Sequence, residues 1–194
     1  MKKEMYKIGI LVGSLRKASL TLKMAQYIQG ENLPDLDFEI IDLSRLPIYN
    51  EDLETEEPPQ SWQEFRKHIK NKDAILFITP EYNRSVPAVL KNAIDVGSAP
   101  HGHNAFEGKP AGIISLSPGK MGAFGANHHL RQSLVFLDMP VMQQPEAYIG
   151  NSETIFDTDN RLVTESTRTF ISQFIIAFAG WIKLHSMNVF LLKQ

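Results

Sequence analysis

Lys7-Ile8-Gly9-Ile10-Leu11-Val12-Gly13-Ser14-Leu15-Arg16-Lys17-Ala18-Ser19-Leu20-Thr21 is the stretch on which the reading of this chain turns. Lys7 to Val12 is a short run of Ile, Leu and Val without polar alternation, the pattern of a buried strand. Gly13 and Ser14 break it, and a helical pattern follows from about Leu20 to Ile28. The same succession recurs downstream. Phe38 to Leu43 is a second apolar run. Ser61 to Lys72 carries Trp62, Phe65 and Ile69 at helical spacing. Ala74 to Thr79 reads as a third strand stopped by Pro80, and Pro87 to Val96 as a helix with proline in its first turn. Ala111 to Leu116 is a fourth strand and Ala126 to Leu137 a helix. Pro140 to Met142 is a candidate for part of a short fifth strand. Thr164 to His185 is a long final helix. The stretch Gly97 to Lys109, with three glycines and few apolar residues, reads as a mobile surface loop.

Short apolar strands alternating with amphipathic helices imply an α/β fold with a parallel sheet covered on both faces. Right-handed crossovers then give an open, three-layer, doubly wound sheet of five strands. In such sheets ligands bind beyond the carboxyl ends of the strands, at the switch point. The residues that matter are therefore those just after each strand.

Composition narrows the classes. The 194 residues are 43% hydrophobic, which suits one domain spanning 1–194 with a full core. A formal charge of −2 leaves no basic footprint for nucleic acid. The absence of cysteine excludes disulfides, thiolate catalysis and Cys-based metal sites. Phe170 to Leu184 is interrupted by Ser172, Gln173, Gly180 and Lys183, too short and polar to span a bilayer. Met1 to Val12 lacks the long apolar region of a secretory signal. The expected protein is soluble and cytoplasmic, with no membrane partner.

Three loops follow three strands. The first, Gly13 to Thr21, sets three hydroxyls and two cations immediately before a helix. Unpaired N–H groups and partial positive charge at the helix start make it a phosphate cradle, with Arg16 adding charge. The alternative is that Ser19 only caps the helix and the cations are solvated. The loop is neither G-x-G-x-x-G nor a P-loop, since Gly108-Lys109 is followed by Pro110. The second loop, Pro80-Glu81-Tyr82-Asn83-Arg84-Ser85-Val86-Pro87, is stiffened by two prolines and carries an aromatic and an amide, able to hold the edge of a planar heterocycle. The third, Ser117 to Gly125, has glycine at every third position, which lets backbone approach a ligand. By themselves the second and third read as well as an ordinary turn and a flexible connection. Converging on one crevice, the three point to a ligand with a phosphate and a ring.

Gly13-Ser14-Leu15-Arg16 with Ser19, then Pro80-Glu81-Tyr82-Asn83, Ser85-x-Pro87 and Leu90-Lys91-Asn92-Ala93-Ile94-Asp95, resemble the NADPH-dependent FMN reductase family, which includes bacterial quinone and chromate reductases and some azoreductases. Leu130-Arg131-Gln132 through Val135-Phe136-Leu137-Asp138 to Pro145-Glu146 is similar to its chromate reductase branch. The resemblance covers roughly Ile8 to Ala147. It implies a flavodoxin-like fold with strand order 2-1-3-4-5 and FMN at the switch point. Carried over, Ser14, Arg16, Ser19, Leu20 and Thr21 would bind at the phosphate end. Pro80, Glu81, Tyr82 and Asn83 would line the isoalloxazine and ribityl, and Ser117 and Gly119 would close the other side. Two positions depart from the family. Thr21 stands where Asn is common, and Arg84 stands where an aromatic or small residue is usual. Arg84 either faces solvent or favours an anionic acceptor or the 2′-phosphate of NADPH.

The function so implied is hydride transfer from NADPH or NADH through FMN to a small acceptor: a quinone, azo compound, chromate or free flavin. The chemistry lies at flavin N5, so no catalytic acid, base or nucleophile is assigned. No metal is expected: His101, His103, His128 and His129 lack a nearby carboxylate or thiolate, and Asp157-x-Asp159-Asn160 lacks the glycine and late glutamate of a calcium loop. Trp62 and Trp181 read as core residues. The rivals are a flavodoxin-type electron carrier, against which the small net charge counts, a flavin-free domain of the same fold, and a non-catalytic flavin-binding protein. A homodimer or homotetramer is expected, with the apolar tail Val189-Phe190-Leu191-Leu192 packing on a partner.

Overall fold

In the computed structural model, which describes residues 5–31 and 33–191 and side chains as far as 186, strands and helices alternate along the chain. They are β1 (Tyr6–Val12), α1 (Leu20–Gly30), β2 (Leu36–Ile40), α2 (Gln60–Lys70), β3 (Ala74–Thr79), α3 (Ala88–Ser98), β4 (Ala111–Leu116), α4 (Phe124–Phe136), β5 (Ala147–Ile149) and α5 (Glu165–Leu191). All strand pairs are parallel, in the order β2-β1-β3-β4-β5. The sheet is the expected one. Its central strands β3 and β4 are buried at every residue, which is why their sequences are continuous apolar runs.

Two cores lie on opposite faces. Ile8, Ile10 and Val12 point to one, with Met24 and Ile28 of α1 and Phe174 and Phe178 of α5. Leu11 points to the other, with Trp62 and Phe65 of α2, Leu90 of α3 and Leu130 of α4. The registers Val12↔Ile78, Thr79↔Ser115 and Leu116↔Ile149 align the carboxyl ends of β1, β3, β4 and β5. The three loops therefore leave the same edge of the sheet side by side.

Four expectations change. The fifth strand is Ala147–Ile149, not Pro140 to Met142. Val141 makes only an isolated bridge to Ala111. The Met142 N–H donates to the Ala111 carbonyl at 2.8 Å, so this segment touches the first residue of β4 and then leaves the sheet. Gly97 to Lys109 is not a loose loop. Ala105 and Phe106 are buried, and Asn104 Nδ2 donates to the Leu137 carbonyl at 2.9 Å. The second apolar run continues past β2: the Ile41 N–H still donates to the Ile10 carbonyl at 3.0 Å, and Ile41 and Leu43 pack with Trp62 and Phe65. The last helix continues past His185 to Leu191. The expected packing of Val189 to Leu192 on a partner falls outside the described residues.

Candidate active site

The first loop is built by its own hydroxyls. Ser19 is the N-cap of α1, and its Oγ accepts from the Leu22 N–H at 3.2 Å. Ser19 Oγ lies 2.7 Å from Thr21 Oγ1, and Ser14, Ser19 and Thr21 are all buried. No acidic residue sits in the first turn of α1. The amides of Leu20 and Thr21 have no partner within the helix, and the helix start carries partial positive charge. The capping and cradle readings are thus compatible in one residue: Ser19 accepts a hydrogen bond as a cap and borders the crevice as well. Gly13 lies against the second loop. A Cβ there would come within 2.9 Å of Thr79 Oγ1 and 3.0 Å of Pro80 Cδ, so glycine is what lets the two loops touch.

A cavity of about 320 Å³ opens at this junction, within the size range of small-molecule sites. Ser14, Arg16, Ser19, Leu20, Thr21, Pro80, Glu81, Tyr82 and Ser117 all line it. Asn83 and Gly119 do not. Leu116, Pro118 and Glu153 join the wall without having been expected there. Glu153 arrives because the Ser152 N–H donates to the Ser117 carbonyl at 3.1 Å. Glu153 thus lies just past the end of β5, the strand that the sequence pattern placed at Pro140 to Met142.

Asn83 is a turn residue. Tyr82 and Ser85 exchange both backbone hydrogen bonds, at 3.1 and 3.0 Å, around Asn83 at φ 50° and Arg84 at φ 64°. Two consecutive left-handed residues make a tight two-residue reversal, a geometry that Asn and Gly tolerate best. Both side chains are exposed. Arg84 Nη1 lies 3.5 Å from Glu81 Oε1, and its side chain is 79% exposed, the solvent-facing alternative.

Glu81 does more than line the cavity. Its Oε2 accepts from the Ala126 N–H at 3.1 Å, a carboxylate seated at the start of α4, where Ala123 offers no side-chain cap. Gly125 makes room for it, since a Cβ there would lie 2.9 Å from Glu81 Oε2 and from the Arg84 carbonyl. The second and third loops are tied together by this contact. The third loop is fixed from beneath. Ser117 Oγ accepts from the Ala123 N–H at 3.2 Å, and the Ser115 hydroxyl sits 2.8 Å from the Gly122 carbonyl and accepts from Asn127 Nδ2 at 3.1 Å. At Gly119, outside the cavity, an added Cβ would meet only Ser117 Oγ, at 3.9 Å. Beside this loop Tyr148 lies 3.0 Å from His128 Nε2. Burial, then the Glu146 carboxylate, push its phenol up to about 12.

The model of the NADPH-dependent FMN reductase family matches residues 6–154. The chain belongs to that family. It is 51% identical over 182 residues to a quinone reductase of Pseudomonas putida, an alignment covering 94% of this chain and 97% of that protein. It is 38% identical to a 2-hydroxy-1,4-benzoquinone reductase of a Burkholderia species, over 91% and 96% of the two chains. Among solved structures, the flavoenzyme NAD(P)H:(acceptor) oxidoreductase FerB of Paracoccus denitrificans superposes with a TM-score of 0.86 at 39% identity, covering 93% of this chain and 98% of that one. A flavodoxin of Pseudomonas aeruginosa, at 17% identity and a TM-score of 0.54, shares the fold alone.

As a member of the NADPH-dependent FMN reductases the chain is an NAD(P)H-dependent oxidoreductase. Its family-like stretches divide between crevice and scaffold. Asn92 holds the 46–49 segment, its Oδ1 accepting from the Tyr49 N–H at 2.8 Å and its Nδ2 donating to the Pro47 carbonyl at 3.0 Å. Arg131 Nη1 donates to the Met142 carbonyl at 3.0 Å. The paired histidines part company: His128 meets Tyr148, and His129 Nδ1 lies 3.1 Å from Ser85 Oγ. Among the described residues no cluster of three or more His, Cys, Asp or Glu is placed to hold a metal, and no helix is long and apolar enough to cross a membrane.

Proposed function

We propose that the chain binds FMN in this crevice and passes reducing equivalents from NADPH or NADH to a small acceptor, a quinone foremost. The observation that carries the reading is the set of buried hydroxyls of Ser14, Ser19 and Thr21, which border the same cavity as the loops after β3 and β4. Those donors suit a phosphate, and the wall made by Pro80, Tyr82, Leu116 and Pro118 suits a flat ring. Ser14, Ser19, Thr21 and the first-turn amides of α1 would hold the phosphate, with Arg16 neutralising part of its charge. Pro80, Glu81, Tyr82 and Ser117 would wall the ring and ribityl. Bound FMN would supply a ring whose N5 accepts a hydride. The protein's share is binding, orientation and a rigid wall, so no side chain is assigned as acid or base. The relatives named for quinones favour a quinone over an azo compound, chromate or free flavin.

Donor and acceptor that use one exposed ring face in turn give parallel lines in double-reciprocal initial-rate plots with NADPH and a quinone varied. Converging lines, the mark of a ternary complex, would contradict the scheme. The active form we infer is a homo-oligomer. Val135 and Phe136 stand side by side on α4, 72% and 90% exposed, and Phe136 borders a groove of about 630 Å³ between α3 and α4. A knob and a groove on one face are self-complementary under a two-fold axis. Phe136→Asp is expected to lower the sedimentation coefficient; an unchanged value would argue for a monomer.

A further inference from the structure

Two helices begin beside the crevice, and their starts are not equally open. At α1 the amides of Leu20 and Thr21 have no partner within the helix, and no acidic residue sits in the first turn. At α4 the protein occupies its own donors. The Ala123 N–H donates to Ser117 Oγ at 3.2 Å, the Phe124 N–H to the Met121 carbonyl at 3.1 Å, and the Ala126 N–H to Glu81 Oε2 at 3.1 Å. Ala123, the residue before the helix, has φ 60° and no side-chain cap, so Glu81 supplies from another loop what the local sequence lacks.

Glu81 is held in place for this. Its side chain is only 13% exposed, and it lines the cavity as well as touching α4. A Cβ at Gly125 would lie 2.9 Å from its Oε2, so glycine is needed there. The cation paired with it among the described residues is Arg84, at 3.5 Å and largely in solvent, where an ion pair contributes little.

An anion therefore meets opposite conditions at the two helix starts. The partial positive charge of α1 faces the crevice unopposed, whereas that of α4 is already matched by a carboxylate. The part of the crevice between the second and third loops thus carries the negative charge of Glu81. A hydride brings two electrons and one proton, so a ring that accepts it gains a unit of negative charge. A carboxylate beside the ring opposes that gain.

We propose that Glu81 is a positioning residue for the flavin: through the Ala126 amide it fixes the gap between the second and third loops, and its charge lowers the potential of the ring held there, making the reduced form a stronger reductant. The proposal rests on the reading above, that the crevice holds FMN with its ring between those loops.

The test compares Glu81→Gln and Glu81→Ala with the parent protein. FMN affinity is read by fluorescence titration, midpoint potential against reference dyes, and stability by thermal unfolding of the FMN-free protein. Glutamine keeps an oxygen to accept from Ala126 and loses the charge. Its affinity for oxidised FMN is expected to stay near that of the parent. Reduced flavin gains about tenfold over oxidised, a midpoint potential higher by about 30 mV for two electrons. Alanine also loses the tie between the loops, and oxidised FMN binds about tenfold more weakly, the loss of one hydrogen bond to a charged group. A Glu81 that only capped α4 would lower the unfolding temperature of the alanine variant and leave the potential of the glutamine variant at the parent value. That unchanged potential overturns the proposal, as does an unchanged FMN affinity in Glu81→Ala, and both leave the FMN reading standing. The glutamine arm decides the matter even where the alanine variant fails to fold. A parent protein that takes up no FMN overturns the FMN reading, and the proposal with it.

Discussion

Arg84 occupies a left-handed backbone conformation at φ 64°, which costs a side-chain-bearing residue about 1–2 kcal/mol and glycine little. Its contact with Glu81, at 3.5 Å and largely in solvent, offsets little of that. Arg84→Gly is therefore expected to raise stability by about 0.5–1 kcal/mol in thermal or urea unfolding. A loss would mean that the Glu81 contact outweighs the backbone term. Thr21 is the better probe of the crevice, being buried beside Ser19 and shaped like valine. Thr21→Val should weaken FMN about tenfold while altering stability far less, because it removes one donor to a charged phosphate. Fluorescence titration with FMN reads the first effect and unfolding the second. Hydroxyls just before a helix could be read from sequence because capping and phosphate binding are local chemistry. The Glu81 carboxylate on the Ala126 amide and the place of Glu153 could not, since both depend on which loops the sheet sets side by side.

At the scale of elements, Gly97 shows how a helix and a loop come to be one unit. A Cβ on it would lie 2.3 Å from Cε2 of Phe106, whose ring is fully buried between α3 and the sheet. Gly97→Ala is expected to destabilise by about 1–3 kcal/mol through overpacking, and a second change, Phe106→Leu, to recover part of it. Independent, additive losses would place the two residues out of contact. This packing also explains why 97–109 misleads when read as composition. Glycines and polar residues suggest mobility, yet one aromatic with a pocket fixes the segment. The fifth strand misleads for a related reason. Two short apolar stretches, Pro140 to Met142 and Ala147 to Ile149, compete, and only the second reaches the end of β4. For a three-residue edge strand, pattern carries too little information to choose.

For the whole molecule, the open doubly wound sheet was legible because parallel strands need crossovers and crossovers leave few topologies, while the strand order came only with the family resemblance. Alternation of apolar runs and amphipathic helices gave the layers, and the layers put three loops at one edge of the sheet. What the crevice holds is a matter of ligand chemistry, and bound FMN should also appear in stability, rising by about 2.7 kcal/mol at a hundredfold excess over its dissociation constant. The most direct measurement is the visible spectrum of the purified protein after incubation with FMN and desalting. The protein is expected to come out yellow, its flavin absorbance bleached by NADPH and restored by a quinone. A colourless protein that retains no FMN would contradict this.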